Sequence, residues 1–173
     1  MPSGTIPPAV GAKNEGIARV NDAIRIKPHH FIDILTGLGR GQEFAPHPLG
    51  HAVHTVAARI LAERDVMLEM ELGADAICAP CVKNVDGICI DTIDTSYRPA
   101  APVSKREWNL RIDRRWCERL GLEAGERLTA RAFCKRLRER AGEIADIYRE
   151  IPPERTADRQ GNLRAGVEAF LAE

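Results

Sequence analysis

The sequence predicts an α+β fold, a small and mostly helical single domain with two or three short strands and a cysteine-rich loop. Three observations carry that prediction. Apolar and polar residues alternate only over short runs, Ala23 to Lys27 and Val66 to Leu72. Apolar residues at three- and four-residue steps fill longer stretches. Cys78, Cys81 and Cys89 lie within twelve residues of a chain whose only other cysteines are Cys117 and Cys134.

Residues 1–16 mix Pro, Gly, Ser and Ala without periodicity, so a mobile leader is expected there, followed by one domain over residues 17–173. Ala23-Ile-Arg-Ile-Lys27 reads as a strand that stops at Pro28, which has no N–H to give to a ladder. His29 to Leu38 suits a short buried helix closed by Gly37, Gly39 and Gly41. Leu49, Val53, Val56, Ala57, Ile60 and Leu61 recur at helical spacing and predict a helix from about Pro48 to Arg64. Val66 to Leu72 is the second strand. Asp86-Gly87 is a turn signal that places Cys89 at the start of a return strand or hairpin.

After the Pro-rich connector Tyr97 to Val103 the chain reads as helical. Ser104 with Glu107 forms a capping-box pattern for a helix ending at Leu120 before Gly121. Thr129 caps another, expected to reach about Ile151 and to end at Pro152-Pro153. Asn162 to Leu171 has a weak amphipathic pattern.

Composition excludes several function classes. Twenty-five basic residues balance twenty-five acidic ones, and the basic run Arg127 to Arg140 is interleaved or flanked by Glu126, Glu139 and Glu143. It reads as a solvated helix face, so neither nucleic acid nor an anionic membrane is an expected partner. The N-terminus lacks a basic start followed by an apolar core, and no run approaches the roughly 18 apolar residues of a span. A soluble, unprocessed chain in the reducing cytoplasm is expected, where close cysteine pairs bind metal or do redox chemistry more often than they form structural disulfides.

Thiolates are soft ligands for zinc or iron–sulfur clusters, and two of them separated by two residues can bend back onto one centre. Pro80 stiffens the turn and Gly87 permits the return, so Cys78, Cys81 and Cys89 read as a metal-binding loop. Three buried, uncoordinated thiols or a transient Cys78–Cys81 disulfide are the alternatives. Structural zinc sites usually supply a second tidy cysteine pair, which this chain lacks. A 4Fe–4S cluster is therefore the leading cofactor, with zinc as the alternative. Cys117 and Cys134, each beside an aromatic residue on an expected helix, read as structural thiols.

All five histidines fall between positions 29 and 54: His29, His30, His47, His51 and His54. A helix starting near His47 would present His47, His51 and His54 on one face. His29, His30, His51 and His54 are accordingly the candidate acid–base residues, with solvated or backbone-bonded imidazoles as the plainer alternative.

The order of Ile24-Arg-Ile-Lys-Pro-His-His30, Gly37-Leu-Gly-Arg-Gly41, Asp75-Ala-Ile-Cys-Ala-Pro-Cys81, Cys89, Ile112-Asp-Arg-Arg and Leu120-Gly-Leu-Glu-Ala-Gly125 resembles a prokaryotic family of small cysteine-motif proteins over roughly residues 23–140. In that family a cysteine follows the second histidine by three residues, and the set is similar to a four-cysteine metal or iron–sulfur site. Here that position is Asp33. The resemblance implies Asp33 as the fourth ligand beside Cys78, Cys81 and Cys89, a harder oxygen donor that would leave its corner exchangeable.

The leading expectation is thus an iron–sulfur protein with three cysteine ligands and a weak or open fourth position. It would catalyse Lewis-acid chemistry, an elimination, hydration or desulfuration, on a small polar substrate. A fully ligated electron-transfer or accessory module serving a redox partner is the second reading. A structural zinc domain is the third.

Overall fold

The structure, a computed structural model, describes residues 23–172. The expected leader lies outside the described residues. Strand β1 (Ile24–Ile26) runs into helix α1 (Pro28–Gly39), followed by α2 (Val53–Ala62) and β2 (Met67–Met70). The two-residue strands β3 (Asn84–Val85) and β4 (Ile88–Cys89) precede α3 (Lys105–Leu120), β5 (Arg127–Thr129), α4 (Ala130–Arg140) and α5 (Pro153–Ala172). The α+β expectation holds.

The main sheet has the order β1-β2-β5, with β1 parallel and β5 antiparallel to β2. Period-two alternation decides its faces. Ile24, Ile26, Leu68, Met70 and Leu128 turn into the core. Arg25, Glu69 and Arg127 stand opposite one another on the other face, with Glu69 3.9 Å from both arginines. The core face is covered by helices. Phe31 of α1 stacks on Phe133 of α4 at 4.5 Å between centroids and meets Phe170 of α5 edge-on. Trp116 of α3 donates from Nε1 to the Tyr148 hydroxyl at 3.1 Å. Gly39 and Gly166 lie where α1 and α5 cross, and a Cβ on Gly166 would meet the Leu35 backbone. Only glycine allows that approach.

Local signals set several element ends. The Ser104 side chain accepts from Glu107 N, and Gly121 ends α3 in the left-handed conformation at φ 63°. The Thr129 side chain accepts from Ala132 N at 3.1 Å. Asp86 and Gly87, at φ 49° and 80°, make the β3–β4 turn with both central residues left-handed.

Three expected boundaries are corrected. The helix expected from Pro48 starts at Val53, because Gly50 at φ 76° closes a turn onto the His47 carbonyl, leaving His47 and His51 ahead of the helix. The helix expected to reach Ile151 stops at Arg140, since Gly142 adopts φ 57° and the chain turns back. Ile144, Ile147 and Tyr148 are buried from that return segment, which is fastened where Ile144 N donates to Gln160 Oε1 at 3.1 Å. The prolines expected to end that helix instead open α5, with Pro153 as its first residue, where a missing N–H removes no helical bond. Strand β5 was not among the expected elements.

Candidate metal centre

The site is built where β1 gives way to α1. Pro28 sets the helical φ of the first turn, and Lys27 before it is extended and offers no side-chain cap. The first-turn N–H groups need acceptors from elsewhere. Two buried carboxylates supply them from distant sequence. Lys27 N donates to Asp75 Oδ2 at 2.9 Å, and His29 N donates to Asp113 Oδ1 at 2.8 Å.

The same two acids hold the paired imidazoles. His29 Nδ1 lies 2.9 and 2.8 Å from the Asp113 oxygens, and His30 Nδ1 lies 2.7 Å from Asp75 Oδ2. Burial opposes charge on both rings. Asp113 outweighs it at His29 and raises that pKa, whereas for His30 burial and the neighbouring His29 prevail over Asp75 and lower it. Asp75 is buried, a cost to its charge that is outweighed by His30, Lys27 and backbone amides, so its carboxyl lies well below the usual range. An ionised carboxylate only accepts, so Nδ1 of His30 carries the proton and Nε2 keeps its lone pair. That is the arrangement of a ligating histidine with a carboxylate behind it.

The cysteine loop is fastened to this junction. Ala76 N donates to the Arg25 carbonyl, and Cys78 N donates to Asp75 Oδ1 at 2.9 Å. Cys81 N then closes on the Cys78 carbonyl at 3.0 Å, and Lys83 N points at Cys81 Sγ at 3.4 Å. Lys27 Nζ is 3.1 Å from Cys78 Sγ. Burial works against the Lys27 charge, but Cys78 and Asp75 raise its pKa; the Cys78 thiol is pushed up by burial and by Asp75. All five cysteines are free thiols.

Cys78, Cys81 and Cys89 all line one cavity of about 380 Å³, to whose lining α3 adds Arg106, Asn109 and Arg114. Ligand atoms of His30, Asp75 and Cys78 also lie within 4.8 Å of one another. Asp75, however, already accepts from Lys27 N, His30 Nδ1 and Cys78 N. It is better suited to orienting the ligands around it than to giving up those donors for a metal. Cys81 and Cys89 line the cavity with Cys78 but fall outside that close group, which among the described residues holds His30, Asp75 and Cys78 alone.

The remaining candidates are outside the close ligand group, although the His29 ring lies 4.3 Å from that of His30. Asp33 is exposed on α1 and ion-paired with Arg159 of α5. His29 is committed to Asp113. His51 stacks on His47 at 3.6 Å, its pKa lowered by burial and by His47, and the Nδ1 atoms of His51 and His54 are buried without a partner among the described residues. Burial pushes the Cys117 thiol up to about 11 and the Cys134 thiol up to about 12. Cys134 is fully buried in α4 and leans on the Val167 carbonyl, a structural position.

Sequence reasoning assigned no role to Lys27, Asp75, Asp113, Arg106 or Arg114. A signal existed for Asp75, because an aspartate three residues before Cys78 is spaced to accept that residue's amide, as a helix N-cap does. Among the described residues no helix is long and apolar enough to cross a membrane. Comparison of the chain with protein-family models, with curated proteins and with solved structures returns no match.

Proposed function

We propose that this chain binds an iron–sulfur cluster, 4Fe–4S in form, through Cys78, Cys81 and Cys89, with His30 Nε2 rather than Asp33 at the fourth corner. It would act in the reducing cytoplasm on a small polar substrate. One observation carries the reading: three cysteines open on one cavity, beside an imidazole that Asp75 holds within ligand range of Cys78. The Arg159 ion pair of Asp33 supports moving the fourth position to His30.

A cluster with one nitrogen ligand offers a corner more exchangeable than thiolate, and thus a Lewis acid for elimination, hydration or desulfuration. The protein's own groups prepare that corner. Asp75 fixes the His30 tautomer and ring plane, Lys27 offsets thiolate charge at Cys78, and the loop amides hold Cys78 and Cys81 in a tight turn.

A single zinc ion is the second reading, favoured by the 4.8 Å span of the His30, Asp75 and Cys78 ligand atoms. Anaerobic purification with iron, sulfide and zinc analysis separates the two. The cluster reading expects brown protein with about four irons and four sulfides per chain, lost in Cys78→Ser, Cys81→Ser and Cys89→Ser. Colourless protein with stoichiometric zinc would overturn it.

A further inference from the structure

We propose that the substrate taken at this centre is a small carboxylic acid, held by Arg106 and Arg114 in the cavity that the cysteines also line. The substrate class rests on the metal-centre reading; the carboxylate site itself stands on α3 alone.

Helix α3 presents two neighbouring basic stripes with different surroundings. Along one, Arg111 pairs with Glu107, Arg115 with Glu150 and Arg119 with Asp146. Along the other, Arg106, Leu110 and Arg114 recur at four-residue steps and face the cavity. Among the described residues Arg106 and Arg114 have no ion pair, and no carboxylate lines the cavity. Two arginines therefore line a concave, partly apolar space that contains no carboxylate.

The charge of the centre does not use them. Three thiolates around a dipositive metal or cluster leave a single negative charge, and Lys27, 3.1 Å from Cys78 Sγ, offsets it. The two arginines remain for a ligand. Their planar forks match a carboxylate in two-point contact. Asn84 adds a further polar group on the cavity wall, its buried Oδ1 without a partner among the described residues, available to a hydroxyl of the same molecule. Leu72 and Leu110 give that wall its apolar part, which suits a short carbon chain rather than a free inorganic anion.

The test is isothermal titration of the purified full chain with acetate, succinate, malate and inorganic phosphate, with metal content measured on the same samples. At least one carboxylate is expected to bind more tightly than phosphate. Arg106→Gln and Arg114→Gln should each weaken that binding by about tenfold or more, while Arg111→Gln on the neighbouring stripe leaves it unchanged. Both cavity arginines are exposed, so their variants should keep the wild-type melting temperature and metal content. Binding of none of the carboxylates, tighter binding of phosphate, or equal affinity in the Arg106 and Arg114 variants would overturn the proposal. Failure of the metal-centre reading is seen separately, as wild-type protein without metal in the same samples.

Discussion

Two glycines on α5 meet opposite surroundings, and their replacement by alanine should have opposite signs. A Cβ on Gly166 would fall inside the contact radius of the Leu35 carbonyl oxygen, 2.7 Å from its carbonyl carbon and 3.1 Å from Gly39 N. A Cβ on Gly161 would meet nothing within 4 Å. Carbon atoms rest about 3.5–4.0 Å apart, so Gly166→Ala must part α1 and α5 by roughly 1 Å, forfeiting roughly a quarter to a half of each dispersion contact across the crossing. Overpacking of this kind costs about 1–3 kcal/mol, and because the obstructing atoms are backbone we expect about 3 kcal/mol. Gly161→Ala removes only the helix penalty of glycine, a gain of about 0.8–1 kcal/mol. At roughly 2–4 °C per kcal/mol for a chain of this size, the Tm should fall by about 6–12 °C in the first variant and rise by about 2–4 °C in the second. Thermal unfolding followed by circular dichroism, with urea titration at 25 °C as a second measure, reads both. Shifts of the same sign, or a Gly166→Ala protein melting with the wild type, would refute the close helix crossing.

At the metal centre, Asp75→Asn should weaken metal retention in a chelator competition by roughly 10–100-fold, since it removes the carboxylate that sets the His30 tautomer. His30→Ala should lose at least as much, and Asp33→Asn should change nothing; equal losses at Asp33 and Asp75 would contradict the assignment of the fourth corner. Iodoacetamide at pH 8 should leave Cys134 unlabelled in the native protein, because its thiol is buried and pushed up to about 12. Mass spectrometry of the peptides checks this, and labelling in step with Cys81 would show that α4 does not pack as described. The Arg115 fork lowers the pKa of Glu150, with Arg115 Nη2 2.6 Å from its Oε1. A depressed carboxylate stabilises the fold above its unfolded pKa of about 4.3 and loses that contribution as pH falls through the lower folded value. Glu150→Gln should therefore cost roughly 2 kcal/mol near pH 7, with the gap to wild type closing as the pH falls below about 4 in urea titrations; a gap independent of pH would remove the ion pair from the account.

The sequence made legible whatever is decided within a few residues. The Ser104 and Thr129 caps, the Asp86-Gly87 turn and the placing of Cys78, Cys81 and Cys89 on one cavity all rest on short-range spacing. The helix overruns came from apolar spacing that continues past its break: Leu49 keeps step with Val53 across Gly50, as Ile144 and Ile147 keep step with α4 across Gly142. Elements defined by a partner were harder to see. Strand β5 is three residues long and exists because β2 offers it an edge. Asp33 has a partner that was out of reach for a related reason. Its spacing from His29 and His30 allows all three to face the cysteines, but the Arg159 that pairs with it lies 126 residues away. Asp75 was within reach of local reasoning, and Asp113, 84 residues from His29, was not.

Asp113 has a consequence for the order of events during synthesis. Every proposed ligand lies before residue 90, so a nascent chain of about one hundred residues already carries the three thiols and both histidines. It lacks the carboxylate that receives His29 N and its ring, and with it the partner that closes the first turn of α1. Until α3 has left the ribosome, His29 has no acceptor for its ring and the cavity beside the cysteine loop lacks the part of its lining that Arg106, Asn109 and Arg114 supply. Metal insertion is thus expected on the completed protein, and a fragment ending before Ser104 should hold metal poorly although it keeps every ligand.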